Sequence, residues 1–175
     1  MSGRVCNVLF LCTGNSARSI IAESLLNALG EGRFKGYSAG SHPGGVVNPL
    51  VLAHLREAQV RTEGARSKSW DEFARAEAPR MDLVVTVCDQ AAGEVCPVWP
   101  GMPAQAHWSA PDPAAYMDDP VKARAVIREV MQLMQRRISL LVNLPMATLD
   151  RMSLQAEARA IAGAHQGTSE PGAAT

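Results

Sequence analysis

The sequence predicts an α/β fold: an open sheet of about four parallel strands with helices on both faces, in three layers. Three observations point there. Short apolar runs alternate with stretches of helical periodicity along the chain. The first run, Val5 to Leu11, is almost unbroken in its apolarity, as suits a strand covered on both faces. After Asp119-Pro120 a long stretch keeps Ile127, Val130, Met131, Met134, Ile138 and Leu141 on one stripe, the pattern of a helix packed on a core.

Each element has its own signal. Ile21, Leu25 and Leu29 recur at helical spacing up to Gly30, so a helix follows the first strand after one turn. Arg33 to Ala39, closed by Gly40, reads as the second strand, and Asn48-Pro49 opens a helix over Leu50 to Ala58. Ser69-Trp-Asp-Glu72 fits a capping box and starts a short helix through Phe73. Asp82 to Cys88 is the third strand, and a weaker fourth lies around Ala104 to Trp108. The domain spans residues 1–144. Residues 145–175 form a helical extension, amphipathic from Leu149 to Ile161, whose last dozen residues, rich in Gly, Ala, Ser and Thr, read as a disordered tail.

Composition narrows the function classes. The 175 residues suit one domain, and 17 basic against 17 acidic residues create no chain-wide field toward nucleic acid or membrane, so neither is an expected partner. No apolar run approaches the ~20 residues that cross a bilayer, and no signal peptide is visible, so the expected compartment is the cytoplasm. Four cysteines, Cys6, Cys12, Cys88 and Cys96, are too few for a disulfide scaffold and are either core filler or chemistry.

The chemistry centres on Cys12-Thr13-Gly14-Asn15-Ser16-Ala17-Arg18-Ser19, a turn between a buried strand and a helix. Such a turn aims successive N–H groups inward, and the helix dipole adds partial positive charge, which suits a tetrahedral oxyanion. Arg18 supplies a planar fork for two of its oxygens. Gly14 permits a positive φ, and Asn15 tolerates one or braces the loop. A thiol at a helix N-terminus beside an arginine is held toward its nucleophilic thiolate form, so Cys12 is the candidate nucleophile. Cys6, within the strand, reads as a buried hydrophobe.

Attack on an oxyanion expels an oxygen, which needs a general acid. Asp112, between Pro111 and Pro113 after the last strand, is either that acid or a turn-forming Asp. Cys88 and Cys96 admit three explanations: two core thiols, a metal site with His107, or a redox pair that resolves an adduct on Cys12. Zinc is disfavoured because no CxxC knuckle and no obvious fourth ligand is present, so no metal is expected.

Taken together, the motifs at 8–19, Tyr37-Ser-Ala-Gly40, Val47-Asn-Pro49, Asp82 to Asp89, Cys96-Pro97, His107-Trp108 and Asp112-Pro113 resemble the low-molecular-weight tyrosine phosphatase fold. Within it they resemble the thioredoxin-coupled arsenate reductases. The resemblance covers roughly Val5 to Leu141. It implies that Cys12 attacks arsenate held by the loop and Arg18 while Asp112 protonates the departing oxygen. Cys88 then attacks the Cys12 adduct and arsenite leaves, after which Cys96 moves the disulfide to Cys88–Cys96. No bound cofactor is implied; the electrons would come from thioredoxin, or from glutaredoxin and glutathione.

Two departures stand out. Seven residues separate Cys88 from Cys96, one more than in the best-known members, which leaves the reductant open. Where some members bind potassium through positions matching Asn15, Glu23, Ser38 and an Asp, this chain has Lys68 in the Asp position, so no potassium is expected. A second enzyme reading is a phosphotyrosine-type phosphatase using Cys12, Arg18 and Asp112. Against it, Ala17 stands where close members carry another Cys, and Ala114-Ala115 where they carry aromatics. A third reading is a non-enzymatic oxyanion sensor signalling through the tail.

Overall fold

The computed structural model describes residues 4–88, 99–145 and 150–168, with side chains described to residue 162. Its sheet has four strands: β1 (Cys6–Cys12), β2 (Phe34–Gly40), β3 (Leu83–Thr86) and β4 (Ala104–His107). All neighbouring pairs run parallel in the order β2-β1-β3-β4. The chain leaves β1 toward one edge and returns on its other side as β3. That reversal makes the carboxyl end of β1 the topological switch point, where open α/β sheets hold ligands. Register aligns Cys12 with Gly40, Leu11 with Thr86, and Thr86 with His107, so the candidate loops gather at one edge.

Four α-helices contribute to the core on one face: α1 (Arg18–Leu29), α2 (Pro49–Glu57), α3 (Pro120–Val142) and α4 (Arg151–Thr168). There Val8, Phe10, Leu83 and Val85 meet Ile20, Leu55, Ile127, Met134 and Leu154. The opposite face carries Leu9, Leu11, Ala39 and Val84, covered by Phe73 of the 3-10 helix Trp70–Phe73 and by Met81 and Trp99. Strand residues therefore alternate between two apolar layers, as the unbroken run in β1 predicts.

Several boundaries differ from the sequence reading. The third strand pairs only over Leu83–Thr86; before it the Asp82 carboxylate accepts the Asn7 N–H and binds Arg4, and Cys88 lies past the ladder. The capping box is half formed: Ser69 Oγ accepts the Asp71 N–H, but Glu72 is drawn off by a two-pronged ion pair with Arg66. The last helix continues to Thr168, so residues 164–168, read as tail, are helical, while 169–175 lie outside the described residues. Leu149, expected to open that helix, also lies outside them.

Helix α4 packs directly on β4. Leu154 and Ala158 are fully buried, and the Trp108 indole N–H donates to the Ala158 carbonyl at 2.9 Å. As β4 is an edge strand, Gln105 turns its outer N–H and C=O away from the sheet; Gln155 Oε1 accepts the first and Arg159 Nε donates to the second. The extension thus satisfies the edge that an open sheet leaves unpaired.

Candidate active site

Where helices α2 and α3 are capped by the side chains of Asn48 and Asp119, α1 has no side-chain cap and no acidic residue in its first turn. Its N-terminal N–H groups thus open into the loop before it, the situation that draws an anion. Carbonyls of this loop are turned outward. Ser41 N–H donates to Cys12 O, His42 to Thr13 O, Gly44 to Gly14 O and Asn48 to Ser16 O, while Ser67 Oγ also donates to Gly14 O. With the carbonyls tied to the 41–48 segment, the N–H side of the loop faces the cleft.

That cleft, of about 430 Å³, is lined by Cys12, Thr13, Gly14, Ser16, Ala17, Arg18, Cys88, Asp112 and Ala114. Cys12 is nearly buried; its Sγ accepts the Asn15 N–H at 3.1 Å and lies 2.9 Å from the Ser19 hydroxyl. Arg18 reaches over the mouth, donating through Nη1 to Ala110 O at 3.3 Å, with Nη2 3.4 Å from Asp112 Oδ2. Asp112 Oδ1 accepts the Ala114 N–H and caps the 3-10 helix Pro113–Tyr116. Cys88 Sγ lies 3.5 Å from Thr13 Oγ1, so a second sulfur stands on the wall of the Cys12 cleft. Cys96 lies outside the described residues.

Two residues that the sequence places in the oxyanion set turn their side chains behind the loop. Asn15 and Ser19 are fully buried, and neither lines the cleft. Asn15, not Gly14, adopts the positive φ, at 47°. Its amide side chain donates to Ser19 Oγ at 2.8 Å and accepts the backbone N–H of Lys68 at 2.9 Å, so this side chain braces the loop. Short polar side chains of this kind tolerate a left-handed backbone because they hydrogen-bond locally.

Gly40, which the sequence marks as a strand end and as part of the Tyr37–Gly40 motif, also borders the site. A Cβ there would meet Thr13 O at 2.5 Å and the Asn15 backbone N at 3.0 Å, so its bare backbone is what lets the loop after Cys12 lie against β2. Lys68, expected in the cation's place and as a brace for Asn15, meets Asn15 through its backbone. Its backbone anchors Asn15 and its carbonyl accepts the Gly40 N–H, while its ammonium donates to Arg66 O at 2.8 Å and Ser38 Oγ at 3.5 Å. Ser38 in turn donates to Glu23. Burial pushes the Glu23 carboxyl up and the Lys68 ammonium down, each opposed by the charge of the other.

Burial also pushes the Cys6 thiol up to about 11, which keeps it protonated and inert in the core. His107 Nδ1 lies 2.7 Å from Thr86 Oγ1. Among the described residues no three His, Cys, Asp or Glu side chains cluster as metal ligands. No described helix is long and apolar enough to cross a membrane.

Comparison with known proteins agrees with this geometry. The family model for low molecular weight phosphotyrosine protein phosphatases matches residues 7–155. The chain is 35% identical over 131 residues to an arsenate reductase of Halalkalibacterium halodurans, spanning 75% of this chain and 91% of that one. It is 33% identical over 129 residues to an arsenate reductase of Bacillus subtilis, spanning 74% and 84%. Among solved structures it is similar to an arsenate reductase in the phosphate binding state, with a TM-score of 0.64 and 25% identity over 79% of this chain and 97% of the other. It is also similar to a thioredoxin-dependent arsenate reductase of Corynebacterium glutamicum, with a TM-score of 0.57 and 28% identity over 79% and 61%.

Proposed function

The chain belongs to the low molecular weight phosphotyrosine protein phosphatase family, and on that footing we propose that it reduces arsenate to arsenite by a three-thiol relay. The observation that carries this reading is the second sulfur. A phosphatase needs one cysteine, whereas here Cys88 shares a cleft wall with Cys12 and touches the loop through Thr13.

Arsenate enters against the N–H groups that this loop turns to the cleft and against the Arg18 fork. The Cys12 thiolate attacks arsenic, and Asp112 gives a proton to the oxygen that leaves as water. The Cys88 thiolate then attacks Cys12 Sγ: the S–S bond forms, the S–As bond breaks, and its electron pair leaves with arsenic as arsenite. Cys96 next attacks Cys88 Sγ, freeing Cys12 as thiolate, and a dithiol protein of the thioredoxin class returns two electrons to the Cys88–Cys96 disulfide. This reading calls for no resident metal or cofactor, and Lys68 sets its ammonium behind the loop against Ser38 Oγ and Arg66 O. The reducing cytoplasm, where arsenate entering as a phosphate mimic is detoxified, is the setting in which such thiols stay poised.

The test is arsenate-dependent NADPH oxidation with thioredoxin and thioredoxin reductase, then with glutaredoxin and glutathione. Turnover is expected in the parent and is lost in Cys12→Ser and Cys88→Ser, while Cys96→Ser completes one turnover and stops. A Cys88→Ser variant that turned over like the parent would sink the relay. Aryl phosphate hydrolysis far outrunning arsenate reduction would put the phosphatase reading in its place; Ala17 and Ala114 on the cleft wall give little to hold a phenyl ring.

A further inference from the structure

Helix α3 buries one charge on its core face. Arg137, between Met134 and Ile138, is only 4% exposed, and among the described residues no carboxylate pairs with it. Its Nη1 donates to the Ser109 carbonyl at 2.8 Å, and its buried Nε has no partner. Burying an unpaired guanidinium is costly, and an apolar side chain of similar volume fills such a space at no such penalty.

The bond it makes falls on the segment that delivers Asp112. Trp108 is tied to Thr86 and Ala158, Ser109 to Arg137, Ala110 to Arg18, and Asp112 to Arg18. The Arg18 contacts, at 3.3 and 3.4 Å, are long. They are also the ones an incoming oxyanion must take over, because the same fork holds the anion. The Arg137 bond is short, charge-assisted and remote from the anion, so it persists when Arg18 turns to substrate.

From this we infer that Arg137 is a positioning residue for Asp112: through the Ser109 carbonyl it holds the 109–113 segment in place while Arg18 exchanges that segment for the oxyanion. The inference rests on the reading of Asp112 as the general acid, and a double-mutant cycle separates the two. Arg137→Met, Asp112→Asn and the double variant are compared in single-turnover arsenite formation with enzyme in excess, alongside phosphate affinity. Arg137→Met is expected to lose roughly tenfold to a hundredfold in rate, since small misplacements at a reacting centre are that costly. Its phosphate affinity should stay within about twofold of the parent, and the rate loss should vanish in the Asp112→Asn background.

A parent-like rate in Arg137→Met, or an equal loss in both backgrounds, would overturn the inference. An Asp112→Asn variant as fast as the parent would instead overturn the acid reading itself. Should Arg137→Met fold poorly, Arg137→Lys keeps one charged donor and runs the same cycle, with a smaller loss that again disappears in the Asp112→Asn background.

Discussion

Arg18 Nη2 and Asp112 Oδ2 lie 3.4 Å apart, so the carboxyl proposed to protonate the leaving oxygen rests on the guanidinium proposed to bind the anion. An oxyanion therefore competes with Asp112 for Arg18 and must displace this carboxyl before Asp112 can act on the oxygen that leaves. Asp112→Asn removes the competing charge and the proton donor together. It is expected to bind phosphate at least as tightly as the parent while slowing adduct formation by a general-acid factor of ~10²–10⁴. Calorimetric titration with phosphate and single-turnover rates check the two halves, and unchanged rates would demote Asp112 to a turn residue.

Gly40 gives a steric prediction. A Cβ at this position sits 2.5 Å from Thr13 O, a backbone atom that cannot swing aside. Gly40→Ala should therefore push the anion loop off β2 at a cost of about 1–3 kcal/mol, as overpacking does, and weaken phosphate binding. Urea unfolding and phosphate titration measure both; a fully stable variant with parent affinity would show that the loop yields freely.

Asn15 is a brace. Asn15→Ala leaves the buried Lys68 N–H without its acceptor and places alanine at φ 47°. The expected loss is about 1–3 kcal/mol for the stranded donor alone, with the left-handed backbone adding to it. Asn15→Gly relieves the backbone part, so it should fall less far in denaturant midpoint than Asn15→Ala.

Glu23 predicts a pH dependence. Burial raises its carboxyl above its ordinary value of 4.5, against the opposing pull of Lys68 and the Ser38 hydroxyl. The folded protein thus keeps a proton that the unfolded chain gives up above pH 4.5. The stability linked to this proton is fully present below that pH and is lost as pH rises through the folded-state value. As pH rises above 4.5 the parent should lose stability relative to Glu23→Gln in urea titrations. A difference that stays flat with pH would mean Glu23 is not held up.

The C-terminal helix predicts the outcome of a truncation. Ending the chain after Pro145 removes Leu154 and Ala158 from the core and strips the Trp108 indole and the Gln105 edge of their partners. The shortened chain is expected to unfold many degrees below the parent or to aggregate through β4. Thermal unfolding followed with size-exclusion chromatography reads this directly.

Local chemistry determined much of this protein before any coordinates. An apolar run bounded by a Cys-Thr-Gly-Asn turn, and a stripe recurring every three or four residues, are patterns whose cause lies within a few residues. The strands, the long helix and the turn from Cys12 to Arg18 were therefore legible. The tertiary structure alone decided what depends on distant parts of the chain meeting. Asn15 could be named as a brace, but its partner is a backbone N–H 53 residues away. Gly40 looked like a strand end until Thr13 was found against it. Glu72 left its capping box because Arg66 was a stronger partner. Arg137 sat one residue off the hydrophobic stripe, and only the packing of α3 beneath the Asp112 segment put its charge inside. Periodicity records which face of an element is apolar; it holds no record of which polar group the folded chain brings to meet it.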